Sequence, residues 1–150
     1  MDIATNTGMG AAFTKPSINR HAAMAIVDAA VTKAMELDVP QVVAVLDESG
    51  LLKAFCRMDG AALVAIETAQ HKAFTALYGL PSGDLFDAIK SDPALLISMP
   101  QVSRLTLIGG GVPITVGNTV VGAIGVSGGT VDQDIECAHA ALRALEPTTD

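Results

Sequence analysis

The sequence predicts an α+β domain, a mostly antiparallel sheet with helices packed on it, and three observations predict it. Two β-rich runs, Pro113–Val116 and Thr119–Val126, flank Gly117-Asn118, a pair that closes a two-residue hairpin through positive φ. A second pair, Gln41–Asp47 and Leu51–Cys56, reads as a hairpin around Glu48-Ser49-Gly50. Stretches with a helical apolar repeat precede and follow these strands. Sequential strands joined by tight turns favour an antiparallel arrangement covered by the helices.

Met1–Ala12 mixes Gly, Thr and Asn without periodicity, and the chain up to residue 16 reads as a loose arm on a single domain. Ser17 is placed to cap a first helix, Ile18–Leu37. One apolar stripe on it runs through Ile18, Ala22, Ala25, Ile26 and Ala29, and another through Met24, Val27, Val31 and Met35. A helix apolar on two sides needs two packing partners, the sheet and a neighbouring subunit. Pro40 stops it. The run Val42-Val43-Ala44-Val45-Leu46 is continuous rather than alternating, which predicts a strand covered on both faces. A second helix, about Ala61–Tyr78, carries alanines at positions 62, 65, 69, 73 and 76, a stripe that lets another backbone approach closely.

Pro81-Ser82-Gly83 ends that helix, and Ser82 is placed to cap a short third one, Asp84–Lys90. Ser91–Gln101, with Pro93 and Pro100, reads as an irregular connector or one helical turn. Arg104–Ile108 reads as a short strand, and Gly109-Gly110-Gly111 turns the chain into the last hairpin. Ser127-Gly128-Gly129 breaks the final strand. Thr130-Val131-Asp132-Gln133 then fits a capping box at the start of a last helix, Val131–Leu145. The predicted order is α-β-β-α-α-β-β-β-α.

Composition narrows the functional classes. Half the 150 residues are apolar, only 3% are aromatic and none is Trp, so the core must be built from Ala, Val, Ile and Leu. With 17% charged residues there is little polar material for a whole monomer surface, and a homo-oligomer is expected. A net charge of −7 argues against nucleic acid, whose affinity rests on Lys and Arg neutralising phosphates. No apolar run approaches a bilayer span and no signal-peptide pattern opens the chain, so a cytoplasmic protein is expected. Cys56 and Cys137 lack metal-motif spacing and read as small buried hydrophobes.

Several polar residues have both a chemical and a structural reading. Thr68, His71, Lys72 and Thr75 form the densest polar group on any predicted helix. Lining a cleft, His71 would serve as general acid or base and Lys72 would hold an anionic oxygen; facing water, the group is a solvated face. Arg57 and Asp59 flank Met58 in a loop at a strand end, where functional groups concentrate. Arg57 with Lys72 would make a two-point carboxylate clamp, whereas the structural reading gives Arg57 an ion pair and Asp59 a helix cap. Gly109-Gly110-Gly111 could offer amides to an anion, but nothing matches a phosphate loop and tight turns explain the glycines more simply. Glu136, His139 and Arg143 recur at helical spacing and read as a charged, solvated face.

Two blocks taken together, FCRMDGA followed by the AxxKAFTA-type run at Ala69–Ala76, and GGGVPI with VVGAIGVSGGTVDQDIECA, resemble the GlcG/HbpS family. That family is also described as heme-binding-protein-like or as the C-terminal domain of PduO-type adenosyltransferases. The likeness covers most of Ser17–Leu145. It implies a profilin-like fold with a five-stranded antiparallel sheet, assembly as dimers or larger rings, and heme or another tetrapyrrole as ligand. It also places the axial ligand of some members near His21, on a polar flank of the first helix with Asp28 and Thr32; otherwise His21 is a surface histidine. Lys72 belongs to the shared pattern and His71 does not. The resemblance leaves a second reading open, a cofactor-free enzyme (tautomerase, lyase, lactonase or dehalogenase) on a small unsaturated or hydroxy carboxylate from aromatic-compound or glycolate breakdown. There His71 would move protons while Arg57 and Lys72 hold the substrate. A purely structural partner subunit is the third.

Overall fold

A computed structural model describes residues 10–147; most of the expected N-terminal arm lies outside them. The elements are α1 (Arg20–Glu36), β1 (Val42–Asp47), β2 (Leu52–Arg57), α2 (Ala65–Ala76), α3 (Asp84–Ile89), α4 (Pro93–Ser98), β3 (Gly111–Val116), β4 (Thr119–Ser127) and α5 (Val131–Arg143). A single 3-10 turn, Met99–Gln101, follows α4. The sheet is antiparallel throughout, in the order β2-β1-β4-β3.

The α+β class stands, but the sheet has four strands and not five. Arg104–Ile108 crosses the end of α2 and pairs with no strand. Side chains take its polar groups instead. The Thr106 amide donates to Thr75 Oγ1 (2.9 Å), and the Ile108 carbonyl accepts from Ser82 Oγ (2.7 Å). Arg104, at φ 71°, lies over the Phe74 ring at 4.1 Å and donates to the Gly50 carbonyl at 2.7 Å. A segment held in this way has no ladder to offer a fifth strand.

Strand alternation sends two sets of residues to opposite faces. Val43, Val45, Val112, Ile124 and Val126 face α1 and α5, where Ile26, Val27, Ala30, Cys137 and Ala138 complete the larger core. Val42, Ala44, Leu46 and Ala123 face α2 and its alanines at 65, 69, 73 and 76. The continuous apolar run of β1 is therefore covered on both sides. Of the second stripe of α1, Val27 reaches the core and Val31 packs at its edge, while Met24 and Met35 stay 41% and 68% exposed.

The close approach expected of the alanine stripe is real, and the sheet meets it with glycine. A Cβ on Gly125 would collide with the Ala69 carbonyl oxygen, and one on Gly111 with that of Lys72. These residues are cross-strand partners on β4 and β3, so α2 lies against bare backbone along that row.

Several caps differ from the sequence expectation. Asn19, not Ser17, caps α1, accepting from the Ala22 amide at 2.8 Å. Asp59 caps nothing, because α2 starts later than expected with Val64 at its N-cap position. Asp92 caps α4, so the 91–101 connector holds a short helix. The capping box at Thr130 and Gln133 forms as expected. Ser17, Lys15 and Ser49 surround the Glu48 carboxyl and hold it at about 2, below its ordinary 4.5; Lys15 Nζ stands 3.1 Å away.

Two predictions follow from these contacts. Gly111→Ala should cost about 3 kcal/mol or more in urea unfolding, since helix backbone must move, while Gly117→Ala, at φ 60° with open space around it, should cost about 1 kcal/mol. Equal costs would contradict the close packing. For Glu48 the folded value is depressed, so its stabilisation is present above pH 4.5 and lost as pH falls toward 2. Glu48→Gln should flatten the acid limb of the stability–pH curve in that window; an unchanged limb would rule the contribution out.

Candidate functional site

Lys72 is a charged side chain buried on α2, and its surroundings explain why. Its Nζ lies 2.7 Å from Asp134 Oδ2 and donates to the Val126 carbonyl at 3.0 Å, with both side chains almost wholly removed from water (2% and 3% exposed). Asp134 sits in the first turns of α5, and its other oxygen accepts from the Gly129 amide at 3.0 Å. The fully buried Gln41 accepts from the same amide through Oε1 at 3.1 Å. The pair thus joins α2, on one face of the sheet, to the start of α5, on the other, around the end of β4. Gly110 makes room for it. A Cβ there would lie 3.0 Å from Lys72 Nζ and 2.7 Å from the Val126 carbonyl oxygen.

This geometry corrects the anion-holding role expected of Lys72. Its ammonium is engaged within the protein and sealed from solvent, so no ligand oxygen reaches it. Arg57 ends the edge strand β2, is exposed, and makes no ion pair among the described residues. It stands opposite Val42, which in turn faces Ser127 of β4, so two strand spacings, about 10 Å, separate it from the strand that Lys72 touches. The expected two-point clamp does not assemble. His71 is half-buried and its ring has no hydrogen bond among the described residues. His21 is exposed on the first turn of α1, with Met24 one turn further on and its imidazole unengaged among the described residues.

Among the described residues, four well-formed pockets have linings that include neither His21 nor His71. One, of about 330 Å³, lies between the end of α1 and the loop after β2, with Met35, Met58 and Asp59 in its wall. Another, of about 240 Å³, is enclosed by the turn before α3, the Gly109–Gly111 run and α5, and includes Asp84 and His139. His139 is exposed, as are Glu136 and Arg143 at the same helical spacing, and it borders this open pocket from α5. Ser82, expected as a cap, instead ties this region together. Its hydroxyl bridges the Ile108 carbonyl and the Gly111 amide, and its own amide donates to the Gly111 carbonyl.

Cys137 is buried, and desolvation, with the nearby Asp134 and Glu136 carboxylates, pushes its thiol up to about 11. It is a core residue with little thiolate. No cluster of three metal-ligating side chains exists among the described residues, and no helix there is long and apolar enough to cross a membrane.

Removing one member of a buried pair leaves the other without a counterion, so Lys72→Met should destabilise the fold by about 3–5 kcal/mol. Lys72→Met combined with Asp134→Leu should recover part of that loss in the same denaturation assay. A single-variant cost below about 1 kcal/mol would show that the pair does not carry the fold.

The family model for the haem degrading protein HbpS-like group matches residues 18–143. An uncharacterized 15.0 kDa protein of Citrobacter freundii, from the dhaT-dhaS intergenic region, is 36% identical over 84% of this chain and 90% of its own length. The corrinoid adenosyltransferase PduO of the same organism is 33% identical over 81% of this chain, which spans only 37% of that enzyme. Among solved structures, the complex of PduOC with heme superposes with a TM-score of 0.79 at 32% identity, covering 85% of this chain and 94% of that one. With the paired sequence blocks and the α2–α5 scaffold they build, these matches make the chain a member of the GlcG/HbpS family, whose model is described as HbpS-like.

Proposed function

We propose that this protein binds heme or a related tetrapyrrole, with the His21 imidazole as axial ligand. The carrying observation is an open imidazole on the first turn of α1, on a scaffold whose relative PduOC is known as a heme complex. The residues around it fit the group. His21 is free of protein hydrogen bonds among the described residues, as a nitrogen donor to iron must be on its ligating side. Met24 adds an exposed apolar side chain on the same flank, and Phe13 is 83% exposed in the segment leading to the helix. Bound heme would supply an iron centre for redox or ligand chemistry. The chain's own part is to hold that iron by one imidazole and to set apolar side chains beside the ring.

His21 is exposed on α1, so a macrocycle there lies against the outer surface of that helix, and another copy of the chain would supply its second wall. Exposed Met24 and Met35 on α1, and Leu51, Leu52, Leu63 and Val64 around β2, are the apolar surfaces an oligomer would cover. A dimer or larger ring of a cytoplasmic protein is the assembly this reading carries. The catalytic alternative built on His71, Lys72 and Arg57 has less support, since the three side chains do not converge.

Hemin titration followed at the Soret band tests the reading. Saturable binding is expected, and His21→Ala should weaken it more than about tenfold, equivalent to about 1.4 kcal/mol, with an unchanged far-ultraviolet spectrum. Undiminished affinity in His21→Ala would remove the ligand assignment, and the absence of saturable binding would remove heme.

A further inference from the structure

The chain enters α1 through a segment fastened at two points. The first is polar. Glu48, in the turn between β1 and β2, has a side chain only 14% exposed, and its Oε1 stands 3.1 Å from Lys15 Nζ. Ser49 Oγ donates to the same oxygen and accepts from Lys15 Nζ, both at 2.9 Å. Ser17 stands beside the same carboxyl, and Lys15 is its one counter-charge among the described residues. The turn that carries Glu48 is itself fixed, because Asp47 Oδ1 accepts from the Ser49 and Leu51 amides, both at 3.0 Å.

The second fastening is apolar. Ile18 is buried where Gly122 has no side chain, and a Cβ on Gly122 would lie 3.1 Å from Ile18 Cγ2. The Ile18 amide donates to the Val121 carbonyl at 2.9 Å, at a bulge of β4 that leaves Val121 without a partner on β3.

These anchors hold the first turn of α1. Asn19 follows Ile18 directly and caps the helix, its Oδ1 accepting from the Ala22 amide at 2.8 Å and its carbonyl from the Ala23 amide at 3.1 Å. The first residue of α1 to be buried is Ala23. Arg20 and His21 are exposed, so packing does little to order the turn they sit in, and helix ends fray unless their free amides are met. Its order comes from the cap and from the segment that leads into it. A side chain that ligates a metal needs neighbours that fix its direction.

From this arrangement we infer that Lys15–Ile18 is a strap fastened by Glu48, and that Glu48 is a positioning residue for His21, setting the direction in which the imidazole leaves the helix. Its effect on ligation rests on the heme reading above; its effect on the helix turn does not.

Amide exchange of the heme-free chain and hemin titration of the same variants test it. In Glu48→Gln the Ala22 and Ala23 amides should lose at least about tenfold more protection than that of Val45 in β1. Hemin affinity should fall about threefold or more, and the iron–imidazole stretch of the reduced complex in resonance Raman should broaden or shift. Lys15→Met should reproduce both effects, whereas Lys15→Arg, which keeps the cation, should behave as the parent. Gly60→Ala, strained by its φ of 83° at the opposite end of β2, should lower stability without either effect. The proposal is overturned if Ala22 and Ala23 keep their protection in Glu48→Gln, if they lose it while affinity and the Raman band stay unchanged, or if Gly60→Ala has the same consequences. A parent chain that takes up no hemin would remove the heme reading and the consequence for ligation, and the exchange rates would still decide whether Glu48 holds the turn.

Discussion

The buried ion pair of Lys72 and Asp134 is the constraint on which the rest of the structure depends. One bond of 2.7 Å connects the helix on one face of the sheet to the helix on the other, and the Val126 carbonyl fastens the end of β4 into the same contact. Such a pair is costly to desolvate and stabilises only when its remaining hydrogen-bonding capacity is met. Here Asp134 also receives the Gly129 amide, which fixes the turn from β4 into α5. The capping box at Thr130 then starts α5 in the one direction that lays Cys137, Ala138 and Ala141 on the core.

Close packing around that pair dictates much of the composition. Helix α2 presents alanines and the sheet presents glycines, so the layers approach at backbone distance and leave little room for large side chains between them. Four of the five aromatic residues, Phe13, Phe55, Tyr78 and Phe86, are exposed to a substantial degree, and Phe74 packs partly buried at the edge of the core. A thin core of small residues and an apolar exterior are two results of one packing solution.

The hairpins, the stripe of small residues on α2 and the capped last helix were legible because each is written in local chemistry: Gly117-Asn118 for the turn, alanines at helical spacing for the close approach, Thr130 with Gln133 for the cap. The fate of Arg104–Ile108 was not, because what denies it a strand partner is supplied by Thr75, Ser82 and Gly50, remote in sequence. Lys72 was legible as an important residue but not in its role. An isolated lysine beside a histidine on a helix looks like a ligand-holding group, and only the fold brings Asp134 to it from sixty-two positions away. The solvated face of α5 was legible too: Glu136, His139 and Arg143 recur at helical spacing, and all three are exposed.

The same arrangement separates scaffold from function. Lys72, Asp134 and the glycines packed beside them hold the layers together, while His21 is exposed and lies outside that network. Native-state hydrogen exchange across a denaturant series tests this division most directly. If the pair is the keystone, the Val126 and Asp134 amides, bonded to Gly110 and Thr130, should exchange only through global unfolding, with the same free energy and denaturant dependence as the centre of β1. Exchange of the Asp134 amide through a local opening that leaves β1 and β4 protected would contradict the account.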